Sequence, residues 1–262
     1  MDNPLPSKVI VAARTTAFFT AACLLLFIAG MVVTIYYCVS MCCDMKMPGG
    51  WTMSMMWMRM SGDTWLTAWL SFTFMWMAMM TAMMMPSAAP VFVKTGWSAK
   101  SFCQTVLGYF TVWTLPVILL FPAGVLLAEA TMQSQRLSRI VPLLSGMVLV
   151  AAGAFQFTRL KINYLMRCRS LSGCTGTPLQ KTMPAFKHGC RHGFDCEIFC
   201  AGLMVAQLML GVMNPLAMIG IAMFVTAEKL LPRPALVVKL VGIAIITAGI
   251  TMMAGWAAAA YG

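Results

Sequence analysis

Charge is scarce in this sequence. Only 10% of its 262 residues are Asp, Glu, Lys or Arg, and only seven are acidic. Water-soluble domains carry roughly a quarter charged residues, so a soluble fold is excluded. Histidine is scarcer still: His188 and His192 are the two in the chain. There is no Ser-His-Asp set, phosphate-binding glycine loop, paired acid and base or dinucleotide fingerprint, which removes the familiar soluble enzymes. The ten-residue alternation of a transmembrane barrel is missing too. No basic-aromatic motif accompanies the net charge of +11, so nucleic acid is not an expected partner. Positive loops beside an anionic lipid bilayer account for that charge.

What the chain does have is long apolar runs, with 61% hydrophobic residues and a mean hydropathy of +0.84. A transmembrane helix needs about 20 mainly apolar residues. Six segments qualify, near 15–39, 64–85, 102–128, 141–160, 201–227 and 235–259. The expected fold is an all-α polytopic membrane helix bundle of about six transmembrane helices, a single integral membrane domain over 1–262. The first run is longer than the apolar core of a cleaved signal peptide and reads as a true span. Six spans put both termini on one side, with eleven Lys and Arg there against seven opposite, which predicts cytoplasmic termini.

One connection is long, residues 161–200, with a turn expected at Ser170–Thr177. It holds both histidines and five of the ten cysteines. His188, Cys190 and His192 alternate, and Cys196 and Cys200 follow at four-residue intervals. With a helix beginning near His192, the side chains of His192, Cys196, Cys200 and Met204 share one face. Imidazole, thiolate and thioether together suit copper, with zinc as the alternative ion. Cys168 and Cys174 would bring a second arm to the site. The competing readings are cysteines as small packing residues, and thiol redox chemistry without a CxxC motif. Cys38, Cys42 and Cys43 lie at the far end of the first span; their spacing allows either a disulfide or further thiol ligands.

Methionine is the other excess, with 28 residues. MSMMWMRM at 53–60 and MWMAMMTAMMM at 75–85 are the densest runs. Helical spacing splits the second run: Met75, Met79 and Met83 form one row, and Trp76, Met80 and Met84 its neighbour. One such row, with Met55 and Met56 from the upstream run, offers thioethers to Cu(I). A soft packing surface for a larger membrane complex is the alternative. Gln156, Gln207 and Asn214 are expected to hydrogen-bond between helices, with Asn214-Pro215 breaking its helix. Glu129 and Glu228 are expected at the Met-rich end, snorkelling or pairing with Arg136 and Lys229.

Three stretches, MWMAMMTAMMMP at 75–86, AGAFQFTRLKINYLMRCR at 152–169, and HGCRHGFDCEIFCAGLM at 188–204 with GVMNPLAMIGIAMFVTAEKL at 211–230, carry a resemblance. The chain resembles the bacterial predicted metal-binding integral membrane proteins, a family of unknown function. It departs from that pattern at Phe199 and Tyr164, where the family commonly has cysteine. The resemblance implies a multi-pass protein of the bacterial inner membrane that binds a soft metal. The leading expectation is copper binding, for homeostasis or delivery to a membrane metalloenzyme. The alternative is an accessory subunit of a multisubunit complex.

Overall fold

A computed structural model describes residues 5–40, 45–47, 50–58, 64–94, 98–173 and 184–261. Among them are eight α-helices: α1 Leu5–Ser40, α2 Trp65–Lys94, α3 Ala99–Gln133, α4 Gln135–Phe155, α5 Arg159–Gly173, α6 Ala185–Leu210, α7 Pro215–Leu230 and α8 Pro234–Tyr261. The molecule is an all-α bundle. Six of these helices (α1, α2, α3, α4, α6 and α8) are long and apolar enough to cross a membrane. A two-stranded antiparallel hairpin, β1 Met45–Lys46 and β2 Thr52–Met53, pairs Met45 with Met53.

Helix is the form these runs must take in hydrocarbon, because every backbone donor and acceptor is then satisfied within the segment. The boundaries follow from capping residues. Ser134 closes α3 and opens α4: its amide donates to the Ala130 carbonyl, and its side chain accepts from the Leu137 amide. Pro86 does not end α2, which continues through Pro90 to Lys94. Neighbouring helices in a bundle tolerate prolines of this kind.

Two ends of the bundle can be told apart. At one, the hairpin lays Met47 and Met53 over Ala128, and the Trp51 indole donates to the Ser138 carbonyl at 2.9 Å. The Trp256 indole donates to Arg139 O at 2.6 Å, so α8 finishes where α4 begins. The Cys38 thiol near the end of α1 reaches Met213 O at 3.7 Å, placing the α6–α7 turn here as well. At the other end Phe19 of α1 stacks on Phe102 at the start of α3, with ring centroids 4.8 Å apart. We call these the hairpin end and the cysteine end.

Three expectations are corrected. The described parts of 161–200 are not a loop: α5 takes Arg159–Gly173, including the first half of the turn expected at Ser170–Thr177, and α6 begins at Ala185, seven residues before His192; 174–183 lie outside the described residues. The polar residues there disguise helices that pack against each other, with α6 also packed along α3. Next, 201–227 is not one span. Gly211 adopts φ +106°, a conformation that costs a side-chain-bearing residue dearly, and Asn214 caps α7 by accepting from the Leu216 and Ala217 amides. The Gln207 amide donates to Gly211 O and Val212 O, so it stabilises this turn rather than bridging helices.

The third correction follows from the second. The reversal sends α7 back along α6, and α8 then runs out again, so its far end lies opposite the start of α1. The even count that put both termini on one side missed this extra passage. Lys229, Arg233 and Lys239 move with it to the cysteine end. Glu228 goes there too, and it pairs with Lys161 rather than Lys229, while Glu129 stays exposed on α3.

The Met run lies at the centre of the core. Met75, Met79, Met80, Met83, Met84 and Met85 are all at most 2% exposed. Trp76 ties α2 to α3 by donating to the Trp113 carbonyl at 3.0 Å. Met56 joins the same core.

Candidate metal centre

The centre forms where α6 presses against α3. A Cβ on Gly189 would lie 2.1 Å from the Thr105 carbonyl oxygen, and one on Gly108 would lie 2.3 Å from Phe186 O. Only glycine permits this backbone approach, and its consequence is that Tyr109 reaches across to Cys196. The Tyr109 hydroxyl donates to Cys196 Sγ at 3.2 Å. From the other side, Lys229 Nζ at the end of α7 donates to the same sulfur at 3.0 Å. Lys229 also bonds Ser87 Oγ of α2 at 3.1 Å, and Ser87 in turn donates to Met84 O. Two other helices donate to this one thiol, and α2 holds the lysine that does so.

His192, Cys196, Cys200 and Met204 lie along a single buried face of α6. Cys196 and Cys200 are completely buried, and the Cys200 thiol donates to the Cys196 carbonyl at 2.8 Å. Cys168 approaches from α5, within electrostatic reach of Cys196 and Lys229. Burial pushes its thiol up to about 12, so it stays neutral at neutral pH. His192 packs on Tyr109 with ring centroids 5.4 Å apart, and neither of its ring nitrogens has a hydrogen-bond partner. An imidazole buried in that way is costly unless something else completes it.

The other expected ligands belong to an earlier turn of α6, to α2, which shares the buried core with Cys196 and Cys200, and to the hairpin region. His188 is half-buried one turn before His192, and helical spacing turns Cys190 to another face. Met75, Met79 and Met83 extend along α2 towards the hairpin end. Met53 is buried under the hairpin. The Met55 side chain, Met60, Cys42, Cys43 and Cys174 lie outside the described residues.

A cluster of charge adjoins the thiols. Lys161 Nζ is 2.9 Å from Glu228 Oε1, with both side chains fully buried, and Lys161 also donates to Gln156 Oε1. Burial lowers the Lys161 pKa, while Glu228 opposes that shift. Both ammoniums lie over the Phe199 ring, Lys161 Nζ 5.3 Å and Lys229 Nζ 5.4 Å from its centroid. The residue that departs from the family's cysteine pattern is therefore a cation–π platform here. Arg169 closes the end of α7 by donating to the carbonyls of Glu228, Lys229 and Leu231. Tyr109, Ser87, Lys161 and Lys229 were not among the expected ligands. Lys229, inside an apolar helix, was the one visible signal; Tyr109 gave none.

Among the described residues, no three His, Cys, Asp or Glu side chains converge as a ready cage. A structural zinc ion, which takes four closed donors, does not fit that arrangement. Two adjacent soft thiols with a thioether one turn away suit Cu(I).

Fold and site together define a helical bundle with six membrane-length helices and a buried thiol cluster at one end. A family model described as copper chaperone, PpoB2, matches residues 73–252, and the chain belongs to that family. The matched part runs from the Met run of α2 to α8 and includes every residue of the cluster above. No curated protein and no solved structure matches the chain.

Proposed function

We propose that this protein is a copper carrier of the bacterial inner membrane, which binds Cu(I) through Cys196 and Cys200 and hands it on to a copper enzyme. The observation that supports this most directly is Cys196 itself: a buried sulfur that accepts hydrogen bonds from Lys229 and Tyr109, with Cys200 one helical turn away. These donors stabilise sulfur as the thiolate, the form that ligates metal. Met204 follows on the same face, where it adds a thioether, and His192 has two ring nitrogens without partners.

Charge assigns the orientation. With the α7 reversal, chain order puts every Lys and Arg of the described residues except Lys46, Arg136 and Arg139 at the cysteine end. The positive-inside rule makes that end cytoplasmic. Thiols there stay reduced, and Cu(I) is the oxidation state they favour.

Release needs a route for an acceptor's ligands. A groove of about 450 Å³ opens between α3 and α6, lined by Trp113, Leu119, Glu197, Met204 and Leu208 among others. Its lining includes Met204 and the chain neighbours of the two thiols, Glu197 and Ala201, so a partner's side chains would approach the buried copper from this flank. The Met row of α2 is enclosed within the bundle and is not offered to a neighbour, so we assign it to packing.

The test is anaerobic Cu(I) titration of the detergent-purified protein against a chromophoric chelator. The expected result is one Cu(I) per chain, with affinity reduced at least 100-fold in Cys196→Ser/Cys200→Ser. A wild-type protein that retains no Cu(I), or a double variant that binds as the wild type does, would overturn the proposal.

A further inference from the structure

Metal selectivity can be read from the charges that surround the thiols. We propose that Lys161, Glu228 and Lys229 make the Cys196–Cys200 pair selective for a monovalent soft ion over a divalent one, with Lys229 as the counter-ion of the bound metal. This rests on the reading that those two cysteines take the metal.

The argument is a charge count in a place where charge is costly. Lys161 and Glu228 are fully buried, and Lys229 is 7% exposed. Two ammoniums and one carboxylate leave a fixed excess of one positive charge. Away from water an uncompensated charge is strongly unfavourable. Two thiolates around Cu(I) carry one negative charge in total, which neutralises the cluster. Two thiolates around Zn(II) are neutral and leave the excess in place. Binding exchanges thiol protons for the metal, with no change in its oxidation state.

The neighbouring groups do not alter this count. Asp195 faces Arg167 and Arg191. Arg169 is committed to the three carbonyls that close α7. Glu197 lines the groove, half-buried and within electrostatic reach of Cys196, at the edge of the cluster and outside its fully buried charges. Tyr109, Ser87 and the Gln156 amide are neutral. The positive excess is also held in position: Lys229 is anchored by Ser87 and Cys196, and Phe199 holds both ammoniums against its ring. A charge 3.0 Å from sulfur acts on the metal at short range, where low dielectric magnifies it.

Competitive binding of Cu(I) and Zn(II) tests this, with Ag(I) and Cd(II) as redox-inert replicas. Two variants remove the excess differently: Lys229→Met deletes the cation, and Ser87→Asp neutralises it with a new ion pair, which keeps the site filled if the first does not fold. Each is expected to lower the Cu(I)-to-Zn(II) affinity ratio at least tenfold, mainly through loss of Cu(I). Thr111→Ala, an exposed change on α3 that alters no charge, should leave the ratio within threefold. If both charge variants, or the one that folds, keep the wild-type ratio, the inference is overturned even though copper binds. If Cys196→Ser/Cys200→Ser keeps wild-type Cu(I) affinity, the site assignment beneath it fails instead.

Discussion

Two stretches of this molecule are rich in soft sulfur, and both are buried: the Met run of α2 and the first four turns of α6. They differ in what surrounds the sulfur. The thioethers of Met75, Met79 and Met83 lie in a core of mostly aromatic and aliphatic side chains, which the cysteines of α6 also join. The thiol of Cys196 accepts hydrogen bonds from a lysine and a tyrosine on two other helices. A thioether needs no partner when buried, so a Met-rich face is satisfied by packing alone. A thiolate or a lysine is not, and must be completed by charge and hydrogen bonds. Sulfur content alone therefore does not mark a site; the polar groups gathered around it do.

That contrast can be broken at several points. The largest effect is expected from the thiols, where Cys196→Ser/Cys200→Ser should cost at least 100-fold in Cu(I) affinity while Met79→Leu/Met83→Leu changes it less than twofold. Comparable losses from both double variants would erase the distinction. Next come the buried charges. Glu228→Gln leaves Lys161 buried without its counter-charge and should destabilise by about 3–5 kcal/mol. Unfolding in mixed micelles reads this directly, and a change below about 1 kcal/mol would show the pair to be hydrated.

Separating the helices that carry the site should cost less. Gly108→Leu forces α3 from α6 and is expected to destabilise by roughly 1–3 kcal/mol, the usual range for overpacking. Copper affinity should fall with it, because Tyr109 is then drawn off Cys196. Smallest is the Met run, where each Met→Leu change at 79 or 83 should cost less than about 1.5 kcal/mol. A larger loss at either position would give that thioether a role beyond filling space.

Much of the fold was legible because hydrocarbon permits few solutions. Long apolar runs must be helices there, and six helices of spanning length are found. The face shared by His192, Cys196, Cys200 and Met204 was legible from spacing, since it depends on helical periodicity alone. The reversal at 211–214 was half legible: Asn214-Pro215 signalled a break, but a broken span and a hairpin read alike in sequence. Choosing wrongly inverted the positions of Glu228 and Lys229. α5 was hidden because its polar residues resemble a loop until packing against α6 and α7 shows which of them are buried.

The sequence by itself determined that the chain forms apolar helices, that soft ligands repeat along one of them, and that its charge is strongly positive. These follow from composition and from the 3.6-residue period, which act within a segment. Only the tertiary structure decided which residues make the site. Tyr109, Ser87, Lys161 and Lys229 come from four helices and are separated by up to 142 positions in the chain. Their meeting depends on close approach at Gly108 and Gly189 and on the direction in which α7 returns, and neither is a property of any one segment.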